Sequence, residues 1–167
     1  MADLYDITVP VFLQKLGVLD HLLAKAIASG IDDRELVDAR LAPDMLPLSR
    51  QVQIACDTAK LLVTRLAQVP PRPMADDETS LAQLRERIAK TIAYLREADP
   101  AAFEGRETAE IVLEFPNMKM TFTGLGLVTD FTMPNFFFHL MIAYALLRMK
   151  GVAIGKMDYL QGAAVAA

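Results

Sequence analysis

The sequence contains few of the residues from which disulfides and multi-ligand metal centres are built. Its 167 residues include one cysteine, Cys56, two histidines and no tryptophan. A single cysteine excludes an internal disulfide and a zinc site made of several cysteines. Two histidines exclude a metal site made of three histidines from one chain. Cys56 falls at a core position of a predicted helix, where cysteine usually acts as a small hydrophobic residue.

Motifs of several large enzyme classes are missing as well. There is no Gly-x-Ser-x-Gly, no His-Glu-x-x-His and no phosphate-binding loop, the patterns typical of α/β-hydrolases, zinc proteases and P-loop nucleotidases. Gly124 and Gly126 form a Gly-x-Gly without the third glycine of a dinucleotide-binding turn. The net charge is -4 and the basic residues are scattered, so we expect no nucleic-acid partner.

A length of 167 residues predicts one domain, residues 1–167. Hydrophobic residues make up 53% of the chain, which predicts a large core or a buried oligomer interface. One uncharged run covers 17 residues, 131–147, at the lower end of the ~17–25 residues that span a bilayer. It includes Pro134, Asn135 and His139, and polar groups are costly within a membrane. We therefore expect a buried helix and no membrane partner. The acidic first residues lack signal-peptide features, which predicts a cytoplasmic protein.

Local patterns predict a mainly α protein. Asp32 and Glu35 are spaced as a capping box, which predicts a short helix ending near residue 41. Two short segments rich in β-forming residues flank Pro116-Asn117 and predict a small hairpin. Apolar residues that repeat at intervals of three and four predict four long helices, over residues 8–29, 48–68, 79–98 and 134–150. We therefore expect an up-down four-helix bundle with a short β-hairpin before the last long helix.

The last predicted helix is apolar on nearly all sides. Such a helix lies at the centre of a bundle, or contacts a partner subunit as well as its own core. A homodimer is the simplest explanation for the excess of large apolar side chains, which cannot all face one side: Phe136, Phe137, Phe138, Ile142, Tyr144, Leu147 and Met149.

Asn135 and His139 are the most informative polar residues of this helix. Because they are four residues apart, they are separated by about 40° around the helix and can converge on one metal ion or small ligand. A histidine with carboxylates suits Zn, Ni, Fe or Mn. The alternative is structural: His139 is hydrogen-bonded in the core and Asn135 helps to cap its helix. Both alternatives stay open at this point.

The second long helix offers two further candidate ligands, Gln51 and Asp57. Asp57, as a metal ligand or base, would complete a site with His139 in the bundle core. However, Asp57 lies nearly opposite the apolar face of its helix, whereas Gln51 lies near the edge of that face. The structural alternative for Asp57 is an i,i+3 ion pair with Lys60 on a solvated face.

Two strings of residues resemble the signatures of an uncharacterised, mostly bacterial family of domains of unknown function. The first is Arg-Leu-Ala-Pro-Asp-Met-Leu-Pro-Leu at residues 40–48, followed by Gln51-Val52 and Asp57. The second is Pro-Asn-Phe-Phe-Phe-His at residues 134–139, followed by Ala143-Tyr144, Leu147-Arg148 and residues 151–160. The resemblance covers nearly the whole chain. That family is similar in fold to the DinB/YfiT-like proteins, so the resemblance implies a DinB-like up-down four-helix bundle.

The resemblance also implies a site. Many members of the DinB-like superfamily bind a divalent metal through three histidines, two of them four residues apart on a late helix. Some use the metal in thiol-dependent transfer or hydrolysis, and many are homodimers. Here Asn135 stands where the first histidine of the pair is expected, and His139 where the second is expected. The second long helix lacks a histidine, and its nearby substitutes are Gln51, Gln53 and Asp57.

Two functional classes follow from these observations. The favoured one is a non-catalytic, small-ligand-binding or structural homodimer with a degenerate metal site, in which Gln51, Asp57, Asn135 and His139 bind the ligand. It is favoured because the histidine trio is incomplete. The alternative is a divalent-metal-dependent enzyme, a thiol-dependent transferase or hydrolase, in which His139, Asn135 and Asp57 hold a Zn, Ni, Fe or Mn ion.

Overall fold

A computed structural model describes residues 3–162 of the chain. The predicted mainly helical bundle, with a hairpin before the last long helix, is confirmed. In chain order the elements are α1 (Val9–Ala28), α2 (Asp33–Val37), α3 (Leu48–Leu66), α4 (Leu81–Arg96), a 3-10 turn (Pro100–Phe103), β1 (Glu110–Phe115), β2 (Met118–Thr123), the single helical turn α5 (Gly124–Gly126), a π-helical segment (Leu127–Thr132), α6 (Met133–Met149) and α7 (Lys156–Gln161).

The short helix α2 begins where its capping signal predicts and ends early. The Asp32 side chain accepts a hydrogen bond from the backbone N–H of Glu35, the first half of a capping box. The helix ends at Val37 rather than near residue 41. The carbonyl of Ala39 instead accepts a hydrogen bond from the N–H of Leu48, so the connector folds back toward the start of α3.

The four long helices enclose one core. α3 packs against α4 and α6, and α1 packs against the same two helices. Between α1 and α6, the fully buried rings of Phe12 and Phe136 have centroids 4.7 Å apart. Seven residues form the buried face of α3 and are at most 1% exposed: Val52, Ala55, Cys56, Ala59, Leu62, Val63 and Leu66.

α6 has a buried face and an exposed apolar face. Phe136, Leu140, Ala143, Leu146 and Leu147 are buried in the core, whereas three further large apolar residues of the helix are about half exposed: Phe138, Met141 and Met149. Within residues 3–162, no helix is both long enough and apolar enough to cross a membrane. The apolar character of α6 is therefore divided between the core and the protein surface.

The predicted hairpin is present, but the segment after it was not predicted. β1 and β2 pair in antiparallel register from Glu110 opposite Thr123 to Phe115 opposite Met118. The chain then forms α5 and the π-helical segment before it enters α6, and no sequence pattern indicated either of these two elements. The Thr132 hydroxyl donates to the carbonyl of Leu127 at 2.9 Å, which satisfies a carbonyl in the widened helical turn.

The linker segment, residues 67–80, connects α3 to α4 and is held by charged side chains. Lys60 Nζ donates to the carbonyl of Arg72 at 3.0 Å. Asp76 pairs with both Arg50 and Arg87. Gln68, at the start of the segment, has a positive φ of 55°, where the chain turns sharply out of α3. These contacts fix a proline-rich connection that has no regular secondary structure of its own.

Candidate functional site

Both polar residues that the sequence singled out on α6 contact α3. His139 Nδ1 lies 2.7 Å from Gln51 Oε1, and Asn135 Nδ2 donates to Thr58 Oγ1 at 2.8 Å. The earlier residue of α3 pairs with the later residue of α6, so the two helices run antiparallel. Gln51, Thr58 and His139 are all buried. We call these four residues the α3–α6 seam.

The hydrogen bonds of Gln51 determine which nitrogen of His139 carries the proton. Gln51 Nε2 donates to the carbonyl of Leu46 at 2.9 Å, and a carbonyl oxygen can only accept. The amide oxygen of Gln51 therefore faces His139, and Nδ1 must be the protonated nitrogen of the neutral imidazole. His139 Nε2 keeps its lone pair, which can accept a hydrogen bond or bind a metal ion.

Asn135 presents a second acceptor on the same face of α6. Its amide nitrogen is used by Thr58, and within residues 3–162 neither Asn135 Oδ1 nor His139 Nε2 takes part in a hydrogen bond. One nitrogen of each side chain is thus hydrogen-bonded to α3, while one acceptor atom of each is available. This arrangement suits a ligand that donates hydrogen bonds.

Burial keeps His139 neutral. It lowers the pKa of the imidazole below its ordinary value, because the charged form loses hydration in the core. The unfolded chain therefore binds a proton at His139 near pH ~6.5, before the folded protein does. Stability rises with pH wherever the unfolded state holds more protons, so burial of His139 lowers stability as the pH falls through this value.

We expect this pH dependence to disappear in His139→Asn. Between pH ~7.5 and pH ~5.5, the stability advantage of the wild type over the variant should shrink by up to about 1.4 kcal/mol. Urea unfolding of both proteins at the two pH values measures it, and contributions from other titrating groups cancel in the difference. An advantage that stays constant, or grows at the lower pH, would contradict a depressed pKa at His139.

Asp57 lies in a different cluster from His139. Its two carboxylate oxygens accept hydrogen bonds from Arg87 Nη2 at 2.9 and 3.0 Å. Lys60 Nζ lies 3.1 Å from Asp57 Oδ1, the i,i+3 pair considered from the sequence, but the Lys60 side chain is only 8% exposed. The structure therefore brings Gln51, Asn135 and His139 together and holds Asp57 elsewhere.

The seam does not fit the three-ligand metal site that the resemblance implies. A catalytic zinc site has three protein ligands, and His139 Nε2 supplies one nitrogen. The oxygen of Gln51 is used by His139 itself, and the carboxylate of Asp57 is used by Arg87. In the described part of the chain, no group of three or more His, Cys, Asp or Glu side chains is placed to hold a metal ion.

The centre of the second cluster, Arg87, was not identified from the sequence. Its side chain is 1% exposed, and its guanidinium contacts three carboxylates, those of Asp57, Asp76 and Glu78, at 2.9 to 3.0 Å. We call these four residues the Arg87 cluster. Although burial lowers the pKa of Arg87, the hydrogen bond with Glu78 and the charge of Asp57 raise it further, so the side chain stays charged.

A signal for Arg87 was present in the sequence. Arg87 lies three residues after Leu84 and one before Ile88, within the apolar stripe of α4. A charge at such a position must be paired when it is buried. Its guanidinium also donates to the carbonyl of Ala75 at 2.9 Å, so Arg87 joins α3, α4 and the linker segment.

Cys56 does not provide a reactive thiol. The residue is fully buried in the core, and burial raises the pKa of its thiol to about 12. The nucleophilic form of cysteine is the thiolate, which is not populated near neutral pH at such a pKa. The structural expectation for Cys56 is consistent with this environment.

Comparison with known proteins places the chain in a family. Residues 4–160 match the family model described as Domain of unknown function (DUF1993). The fold is similar to the 1.83 Å crystal structure of a DinB family member protein from Shewanella denitrificans, with 39% identity and a TM-score of 0.85 over 94% of this chain and 91% of that one. No match was found among curated proteins. The chain therefore belongs to the DUF1993 family and has the fold of a DinB-like four-helix bundle.

Proposed function

We propose that this protein is a non-catalytic, homodimeric binding protein whose α3–α6 seam contacts a small ligand through His139 and Asn135. The observation that carries the proposal is the hydrogen bond between Gln51 and His139 Nδ1. It fixes the imidazole as a neutral acceptor and uses an amide where a metal-binding relative of this fold would have a third ligand.

The neighbours of His139 favour binding over proton transfer. A catalytic histidine is commonly oriented by a carboxylate, which stabilises the imidazolium that forms when the histidine takes a proton. Gln51 provides a neutral amide oxygen instead, and burial already disfavours the charged imidazole. Protonation of His139 therefore has little support from its surroundings, whereas acceptance of a hydrogen bond from a ligand needs no change of charge.

The exposed apolar face of α6 supports a homodimer. Phe138, Met141 and Met149 are 53%, 44% and 52% exposed, and together with Pro134 and Ala145 they lie within a narrow arc of the helix. We call these five residues the α6 face. It extends over about 22 Å of helix, and the exposed residue Arg148 lies beside it. Leu46, whose carbonyl binds Gln51, adds a side chain that is 44% exposed beside the seam.

A two-fold axis across the α6 face would pair the same surface on both subunits. Such an isologous contact is the commonest arrangement in homodimers, and a stable one buries about 800 Å² on each partner. The α6 face has the apolar character expected of such an interface, because homodimer interfaces are more apolar than the rest of the surface. His139 is next to Phe138, so dimerisation would also enclose one side of the seam.

We expect the wild-type protein to sediment as a dimer at tens of micromolar and Met141→Lys to sediment as a monomer. The introduced ammonium would have to be buried unpaired in the dimer, whereas in the monomer it stays in water. Met118→Lys is the matched control, because Met118 is 53% exposed at the tip of the hairpin, away from α6. Sedimentation equilibrium measures the masses.

Two results would contradict the proposed dimer. One is a wild-type protein that stays monomeric throughout this concentration range. The other is a Met141→Lys variant that dimerises as strongly as Met118→Lys, which would mean that the α6 face is not the interface. Circular dichroism of both variants should match that of the wild type, because each substitution is at an exposed side chain.

A further inference from the structure

A separate cavity of about 290 Å³ lies between the C-terminal halves of α3 and α4. The chain that follows each of these helices closes its sides. Its lining is made mainly of small apolar residues: Val63, Ala67, Val69, Pro70, Ala98 and Ala102. The volume is close to the lower end of the ~300–1,000 Å³ range of small-molecule sites. The cavity therefore suits a compact apolar body of one or two rings.

A cation-binding arrangement stands at the mouth of this cavity. The guanidinium of Arg72 lies over the ring of Tyr94, 5.1 Å from its centroid. The same guanidinium forms a two-point contact with the Glu97 carboxylate, with Nη1 donating to Oε1 at 3.0 Å. The Tyr94 hydroxyl is fixed by Thr64 Oγ1 at 3.0 Å. An aromatic face combined with a carboxylate is a recognised environment for organic cations, and here the protein's own arginine fills it.

Arg72 can leave this position at little energetic cost. The side chains of Arg72 and Glu97 are 58% and 55% exposed, and an exposed ion pair contributes little to stability because solvent screens it. The backbone of Arg72 is anchored independently, because Lys60 Nζ donates to its carbonyl at 3.0 Å. The side chain can therefore swing into solvent while the linker segment stays in place and keeps the wall of the cavity intact.

We propose that this cavity binds an amphipathic organic cation, with the apolar body inside and an ammonium or guanidinium group between Tyr94 and Glu97, in the place of Arg72. Charge selects the ligand class. Glu97 and Asp99 both line the cavity, and the Asp99 carboxylate also accepts a hydrogen bond from the N–H of Ala101. Two acidic side chains therefore remain beside the cavity once Arg72 has moved away. They attract a cation and repel an anion with the same apolar body. This site depends neither on His139 nor on the proposed dimer.

Tryptamine and indole-3-acetate test the proposal, because they share one ring system and carry opposite charges. The protein contains no tryptophan, so the fluorescence of the indole probe reports binding without a background from protein indole. We expect tryptamine to bind at least tenfold more tightly than indole-3-acetate. Arg72→Ala should tighten tryptamine binding several-fold, because it removes the competing guanidinium. Glu97→Gln should weaken it about tenfold, the loss of one charge-assisted contact.

Two variants serve as controls. Glu86→Gln removes the same charge from an exposed position on α4 outside this cavity, and should leave tryptamine binding unchanged. Ala98→Phe places a ring inside the cavity and should abolish binding of tryptamine without loss of the helical circular dichroism signal. The proposal is overturned if neither the wild type nor Arg72→Ala binds tryptamine. It is equally overturned if indole-3-acetate binds as tightly as tryptamine, or if Arg72→Ala abolishes tryptamine binding, since Arg72 would then support the site instead of competing for it.

Discussion

Replacement of Arg87 by methionine should destabilise the protein by about 3–5 kcal/mol, the effect of removing one partner from a buried ion-pair network. Arg87 is 1% exposed and neutralises three carboxylates, of which Glu78 is only 11% exposed. Methionine retains much of the apolar stem and removes the charge. Glu78 would then lose the cation with which it pairs, whereas Asp76 would keep its ion pair with Arg50, and the linker segment would lose its contact through Ala75. Urea unfolding measures the change.

Arg85→Met is the matched control for this prediction. Arg85 lies two residues earlier on α4 and pairs with Asp20 on α1, with Nε to Oδ1 at 2.7 Å. The two side chains are 39% and 35% exposed, so solvent screens the pair and we expect a loss of no more than about 1 kcal/mol. Equal losses in the two variants would show that burial of Arg87 adds nothing to the stability of the fold.

Gly124→Ala should also destabilise the protein strongly, by about 3 kcal/mol or more, at the upper end of the range for overpacked sites. A Cβ atom at this position would overlap the backbone carbonyl oxygen of Arg106 and lie 2.9 Å from its carbonyl carbon. The obstacle is main chain rather than the end of a flexible side chain. Alanine therefore requires the hairpin exit to move away from the loop before β1, where Leu125 N–H donates to the carbonyl of Glu107.

Gly17→Ala provides the opposite outcome in the same assay. Gly17 lies within α1, and a Cβ atom there would meet nothing within 4 Å. Alanine in a helix interior is favoured over glycine by about 0.5–1 kcal/mol, so this variant should be more stable than the wild type. If Gly124→Ala were neutral or stabilising in urea unfolding, the close approach of Gly124 to Arg106 would not exist in solution.

The elements whose signals are local were predictable from the sequence. The apolar stripe of α4 is bounded by a proline-rich segment on one side and Pro100 on the other, and the hairpin turns at Pro116-Asn117. The π-helical segment was not predictable, because it depends on contacts between distant parts of the chain. Gly124, in the turn α5 that leads into this segment, approaches the backbone of Arg106, and no periodicity in the sequence indicates such a contact.

The polar site was predictable only in part, for a similar reason. The i,i+4 spacing places Asn135 and His139 on one face of α6 in any sequence with this helix. Their partners, Gln51 and Thr58, depend on the register between α3 and α6, which a single sequence does not specify. Helical periodicity placed Asp57 away from the apolar face of its helix. In the structure Asp57 lies in the Arg87 cluster, away from His139.

Elemental analysis of the protein, purified without an affinity tag or chelator, tests the central claim most directly. The claim is that His139 is held by Gln51 as a neutral hydrogen-bonding residue in a protein that binds rather than transforms its ligand. We predict a folded protein without stoichiometric Zn, Ni, Fe or Mn, and a His139→Ala variant that is less stable by about 1–3 kcal/mol because a buried partner loses its hydrogen bond. Near-stoichiometric metal in the wild type that is lost in His139→Ala, with stability unchanged, would contradict the claim and indicate a metal-dependent enzyme.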